Sequence, residues 1–251
     1  MDVLMRLLIV LFVIALGGCK SSPQYLNTNT LMDQYPTIGV LTLSTESSLD
    51  AFEPELTAFY QTKIESELMS KGFKVVNADV VRDFQTEFEE NSTGLYNVNT
   101  GQMNETLANQ LFVKALQRAA IELQVDAFLF VGVDTVRATF SNNIFSSYVA
   151  SWYGQEETYL SEGVDAGDVL GSLFVQKTGY LPGARLYLRF RDPDNNLLSL
   201  AGGGIELLAR FDDDGEVQTK TSDKLFDDEN ELLQALQLAF SDLASHKQKK
   251  K

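Results

Sequence analysis

The chain has 251 residues, with 20 basic and 35 acidic side chains, a formal net charge of −15 and 44% apolar residues. That much acid argues against nucleic acid or an anionic lipid face as the main partner of the folded body, since both need a basic patch. A single histidine and a single cysteine leave no His/Cys zinc site and no disulfide framework, and the apolar fraction excludes a disordered chain.

Behind Arg6, residues 7–16 (LLIVLFVIAL) are uninterruptedly apolar. As a helix they reach roughly 15 Å, half of a bilayer's hydrocarbon core, which suits the h-region of a secretory signal better than a span. The ending Leu16-Gly17-Gly18-Cys19 resembles the lipobox of bacterial lipoproteins and uses the only cysteine. What the resemblance implies is cleavage between Gly18 and Cys19, a diacylglyceryl group on the thiol, and acylation, as by palmitate, of the new amino terminus. Lys20 stands where inner-membrane lipoproteins often carry Asp, so the same resemblance implies the outer membrane, periplasmic side. Each buried acyl methylene contributes about 0.8 kcal/mol, so several chains make a durable anchor. Removing residues 1–18 takes away Asp2 and Arg6, which leaves the net charge unchanged.

Residues 19–35 are polar beyond the cysteine and lack a period, which reads as a flexible tether. One domain is expected over residues 36–245. Residues 37–43 (TIGVLTL) predict a strand; Leu56, Tyr60, Ile64 and Leu68 predict a helix closing at Gly72; FKVV at 73–76 predicts a second strand. A short helix follows near residues 80–88. Asn104 is the expected N-cap of a longer helix whose inner face is Leu107, Leu111, Ala115, Ala119 and Leu123. It runs into 126–133 (DAFLFVGV), a strand buried on both faces. Residues 137–181 break the pattern and read as an aromatic-rich insertion. Residues 184–190 and 197–210 form a hairpin around 192–196, and Gly202, Gly203 and Gly204 suggest a bulge or sharp bend. Asp228 and Glu231 resemble a capping box before a helix with Leu232, Leu236, Ala239, Phe240 and Leu243 on one side. Residues 246–251 (HKQKKK) read as a basic, disordered tail, solvated rather than bound to phosphate or lipopolysaccharide. The fold class is α/β: a mixed β-sheet with helices packed on it, in the order β-α-β-α-β-insertion-β-β-α.

Lipobox, tether and this order together resemble the curli-secretion lipoprotein superfamily, which includes the penicillin-binding-protein activator lipoproteins and is similar in fold to the TolB amino-terminal domain. TIGVLTL, KGFKVV, AAIELQVDAFLFVGV and the hairpin ARLYLRFRDPDNNLLSLAGGG carry the resemblance. Gln124-Val125-Asp126 departs from the family's Gly-Ala-Asp step, and the returning strand lacks its usual Trp. In channel-forming members of the superfamily, inserted segments become membrane-spanning strands. Here acidic residues such as Glu162, Asp165 and Asp168 interrupt the insertion and speak against a full set of such strands.

Catalytic signals are sparse. His246, in the lysine run, is poorly placed to serve as a fixed base. Asp192, Asp194 and Asn196 have calcium-loop spacing, but Leu197 occupies the place of the turn glycine, so a hairpin turn fits better and no metal or cofactor is implied. The aromatic residues Phe145, Tyr148, Trp152, Tyr153 and Tyr159 are the best functional candidates, as a partner-binding surface, a membrane rim or a subdomain core. The expectation is a non-enzymatic lipoprotein that binds, assembles or activates an envelope protein complex. A subunit of an oligomeric envelope or secretion assembly is the alternative, and a two-carboxylate hydrolase of cell wall or glycan a third class.

Overall fold

The computed structural model describes residues 25–90, 94–97, 100–141, 148–161 and 178–246. It is a mixed α/β fold, built on the elements the hydrophobic periods predict. Strand β1 (Thr37–Val40) lies between β3 (Lys74–Val76) and β4 (Ala127–Ser141), parallel to both, and β2 (Ser44–Thr45) continues alongside β4. Helix α2 (Glu53–Ser70) joins β2 to β3 and buries Leu56, Tyr60, Ile64 and Leu68, each no more than 1% exposed. Gly72, at φ 97°, ends it in a conformation that a Cβ would oppose.

Helix α3 (Ala78–Glu90) and helix α4 (Glu105–Glu122) cover β1 and the start of β4 from one side. The side chain of Asn104 accepts the Leu107 amide at 3.1 Å, the expected cap. Ala115, Ala119 and the unforeseen Leu116 are buried there, while Leu107, Leu111 and Leu123 are half-buried. On the opposite face, α2 and helix α5 (Glu229–Ser245) pack on β4, β7 (Thr178–Arg191) and β8 (Leu197–Leu207). All five apolar positions predicted for α5 are buried.

Four expectations change. The tether is shorter than residues 19–35: Asn27 caps helix α1 (Thr28–Gln34) by accepting the Thr30 amide at 3.0 Å, and Leu31 is fully buried. One buried leucine and one cap order a segment whose polarity suggested none. His246 is likewise not part of a frayed tail; its side chain is only 15% exposed and it packs against Tyr25. The capping box is half-formed: Asp228 accepts the Asn230 amide at 2.8 Å, but Glu231 returns no hydrogen bond and faces other acids instead. Finally, the interruption at 137–181 is narrower than its composition. β4 and β7 stay paired out to Ser141 and Thr178, because Ala138, Phe140 and Leu181 continue an inward alternation hidden among polar neighbours.

Between those strand ends lies a hairpin of β5 (Val149–Trp152) and β6 (Gln155–Thr158), with β5 paired to β4. Beyond β6, the Phe211 amide donates to the Tyr159 carbonyl at 2.8 Å and the Ser161 amide to the Phe211 carbonyl at 2.9 Å. These bonds join the chain to β9 (Ala209–Phe211), which pairs with β10 (Val217–Thr219). The Leu208 amide reaches Pro182 of β7 at 2.9 Å, so this end of the sheet closes around a second core of Phe140, Trp152, Tyr159, Leu181 and Leu207. Among the described residues no helix is long and apolar enough to cross a membrane.

Candidate functional site

The hairpin β5–β6 turns at Tyr153 and Gly154, with φ of 42° and 80°, the signs of a type I′ turn. Its tip presses on the edge of β8, where the Gly204 amide donates to the Tyr153 carbonyl at 3.2 Å. Here β7 and β8 fall out of register, one β7 residue (Ala184) opposing two on β8 between the Gly183–Leu207 and Arg185–Gly204 pairs. Such a bulge frees backbone groups that must find other partners once buried. Trp152 Nε1 donates to the Ala184 carbonyl at 2.9 Å, Gln155 Nε2 donates to the Ile205 carbonyl at 3.1 Å, and Glu157 accepts the Leu207 amide at 2.7 Å. The hairpin's side chains therefore complete the bulge.

The glycine run has a purpose other than bending. A Cβ on Gly203 would lie 1.9 Å from the Ala235 carbonyl oxygen of α5, and one on Gly204 would lie 2.5 Å from Gln155 Cβ on the opposite face. β8 is thin so that a helix and a hairpin can both approach it.

This placement sorts the aromatic candidates. Trp152 is 5% exposed and Tyr159 fully buried, in ring contact with Phe140, Tyr148 and Phe211. Burial first, and then the Tyr148 hydroxyl, push the Tyr159 phenol up, and its hydroxyl has no hydrogen-bond partner among the described residues. Trp152, Tyr159 and the half-buried Tyr148 form core, the third of the alternatives open for them in the sequence: inward strand alternation directs them into the closed end of the sheet. Phe145 and Cys19, with the signal cleavage at Gly18, lie outside the described residues.

Tyr153 differs, being 45% exposed. Its ring lies 4.3 Å from the Arg185 guanidinium; Tyr187 lies 6.0 Å beyond that group; and Arg189 lies 4.0 Å over Tyr187. The result is a row of alternating rings and guanidinium groups along one sheet face. Gly132 makes room for it, since a Cβ there would meet the Tyr187 hydroxyl at 2.3 Å. Asp134 accepts from Arg185 Nε at 2.9 Å and lies 3.9 Å from Arg189. Burial pulls the Arg185 guanidinium down, but its bonds and charge contact with Asp134 together outweigh this and hold it above its ordinary value. Arg189 is 37% exposed, with its guanidinium over Tyr187 and one end toward Asp134. The alternating letters of ARLYLRFR place Arg185, Arg189 and Arg191 on one face, which is the signal that the net charge obscured.

Three glutamates also converge. Glu206, 1% exposed, accepts from Lys220 and from the Phe226 amide, and Glu157 pairs with Arg210. Both oxygens of each carboxylate are occupied by the protein's own donors. Burial, and then the charge of Glu157, push the Glu231 carboxyl up to about 7. An acid–base pair for glycoside hydrolysis needs carboxylates open to substrate, and Glu157 and Glu206 are closed.

No protein-family model matches the chain, and neither does any curated protein. Among solved structures it is similar to a lipoprotein from Neisseria meningitidis, at 12% identity and a TM-score of 0.29 over 67% of this chain and 81% of that one. It is also similar to a homolog of a neuraminyllactose-binding hemagglutinin from Helicobacter pylori, at 10% identity and a TM-score of 0.29 over 91% of this chain and 89% of that one. Likenesses this distant carry no conclusion about fold family or function.

Proposed function

We propose that the chain is an outer-membrane lipoprotein, acylated on Cys19, whose periplasmic domain binds and assembles or activates an envelope protein complex without catalysing a reaction. The lipobox-like Leu16-Gly17-Gly18-Cys19 supports the anchor, and the order of elements supports a place beside the curli-secretion and TolB-like lipoproteins. The observation that carries a docking role is the row Tyr153–Arg185–Tyr187–Arg189, in which a buried Arg185 holds the half-exposed Tyr153 ring at the surface beside the partly exposed Tyr187 and Arg189. Turn chemistry prefers Asn or Gly at φ above zero, yet a half-exposed tyrosine holds that position. Local rules are broken mainly at functional or strained sites, and that is the weight Tyr153 carries here. Tyr and Arg are also the residue types that dominate binding energy at protein interfaces.

The test is a photo-crosslinking residue at Tyr153 in cells, with one at Glu105 on α4 as the control. A discrete product at Tyr153 that Arg189→Glu removes is expected. Equal products at both positions, or one indifferent to Arg189→Glu, would sink the docking role. A product containing only a second copy of the chain would favour the oligomeric-assembly reading.

A further inference from the structure

Helix α5 buries Leu232, Ala235, Leu236, Ala239, Phe240 and Leu243, and its other side is open. Asn230, Leu233, Gln237, Ser241 and Ala244 are exposed there. At about 100° per residue they all fall within roughly 40° of Gln237, a single stripe along the helix. None of them is charged, although 22% of the chain is. The acids of α5 lie off the stripe. Glu231 faces Glu157 and Glu206, Asp242 accepts the Gly202 amide at 3.0 Å, and Glu229 stands in the first turn.

Beside the stripe runs a groove of about 660 Å³, with Lys63, Glu67 and Lys71 on the α2 wall and Leu236 and Phe240 on the α5 wall. The two helices point the same way. The Tyr60 hydroxyl of α2 donates to the Leu232 carbonyl at 3.0 Å, and eleven residues on the Lys71 ammonium lies 5.3 Å from the Phe240 ring. Lys71 therefore stands alongside the second half of α5.

We infer that a second copy of the chain covers this face, α5 packing antiparallel on α5 about a two-fold axis at Gln237. A two-fold contact presents the same patch from both sides, so it needs a face that does not repel itself. In a molecule of net charge −15, the uncharged stripe meets that condition. Its order is also symmetrical. Leu233 and Ser241 lie four residues either side of Gln237, and Asn230 and Ala244 lie seven. Antiparallel packing sets the large Leu233 against the small Ser241, Asn230 against Ala244, and Gln237 against itself. A side-chain amide both donates and accepts, so two Gln237 side chains can bond each other, as two carboxylates cannot. The same geometry carries Glu229 of the second copy, at the start of its α5, towards Lys71 across the groove, and symmetry makes that pair twice. The row from Tyr153 to Arg189 lies on the opposite face of the sheet, so the inference does not rest on the docking role.

The test is the dissociation constant of the full chain in density-matched mild detergent, by analytical ultracentrifugation, for the parent, Gln237→Glu and Gln237→Lys. The parent should be a dimer. Each variant alone should dissociate about tenfold more readily or worse, because like charges then meet at the axis. Mixing the two should restore a dimer with one copy of each, which also shows that both variants are folded. A parent that is monomeric at every accessible concentration overturns the inference. So does a dimer that survives either charge, or a pair of dissociated variants that do not recombine.

Discussion

Trp152 Nε1 donates to the carbonyl of Ala184 at 2.9 Å, and so joins the β5–β6 hairpin to the bulge that breaks the β7–β8 register. Trp152→Phe retains much of the buried area but leaves that carbonyl without a donor, so it should cost about 1–3 kcal/mol. Trp152→Ala should cost about 3–5 kcal/mol. Urea unfolding of the two variants checks both figures. A stable Trp152→Ala protein would contradict a core role for the ring.

Gly203→Ala should be among the most damaging single-methyl additions. The new Cβ would sit 1.9 Å from the Ala235 carbonyl oxygen, and backbone cannot swing aside as a side chain does. Overpacking costs about 1–3 kcal/mol and occasionally more, and the upper end is expected here. The drop in thermal midpoint should exceed that of Leu233→Ala on the exposed side of the same helix.

Tyr159→Phe should stabilise the protein by roughly 1 kcal/mol. It removes a buried hydroxyl that has no hydrogen-bond partner among the described residues, while the ring keeps its contacts with Phe140 and Phe211. A loss of stability would reveal a partner for that hydroxyl.

Tyr153→Asn places a residue that favours positive φ before Gly154 and should leave stability unchanged or slightly higher. It should nevertheless weaken partner capture as strongly as Arg189→Glu does. A parallel fall in stability and capture would mean that the ring serves the fold alone.

Stability should fall as pH rises from about 4.5 to about 7. The Glu231 carboxyl ordinarily releases its proton near 4.5 but holds it up to about 7 in the folded protein, where burial, Glu157, Glu206 and Asp228 oppose its charge and only Lys220 favours it. Across that window the native state binds more protons than the unfolded one, so the sign of linkage is negative with pH. Glu206, whose carboxyl burial also pushes up, adds in the same direction. In Glu231→Gln the decline in urea midpoint should be shallower, and the variant should exceed the parent above pH 7. Identical pH profiles would dismiss Glu231 as the titrating group.

Much of the scaffold was legible in the sequence, because helices and strands that bury one face write that face at a fixed spacing. Leu56, Tyr60, Ile64 and Leu68 on α2, and Leu232 to Leu243 on α5, are cases in which the period, the cap and the burial agree. The caps at Asn104 and Asp228 were legible for a similar reason, since a side chain that bonds an amide two or three residues on is a local event. Function-bearing surface was harder to read. Trp152 ends a strand and Tyr153 opens the turn after it, and only the fold decides that one ring faces solvent and the other fills a core. The arginines of β7 were visible as letters, but their assembly into a row with Tyr153 needed a hairpin to fold across β8 from about 30 residues away in sequence. The meeting of Tyr25 with His246 lies further still from any local rule. Sequence by itself determined the main α/β elements, though not helix α1 or the β5–β6 hairpin, together with most inward faces and the acidic character of the chain. Tertiary structure alone decided which aromatic residues are exposed, why Gly203 and Gly204 occupy β8, and that Tyr25 meets His246. Those are contacts between distant segments, and no spacing within one segment encodes them.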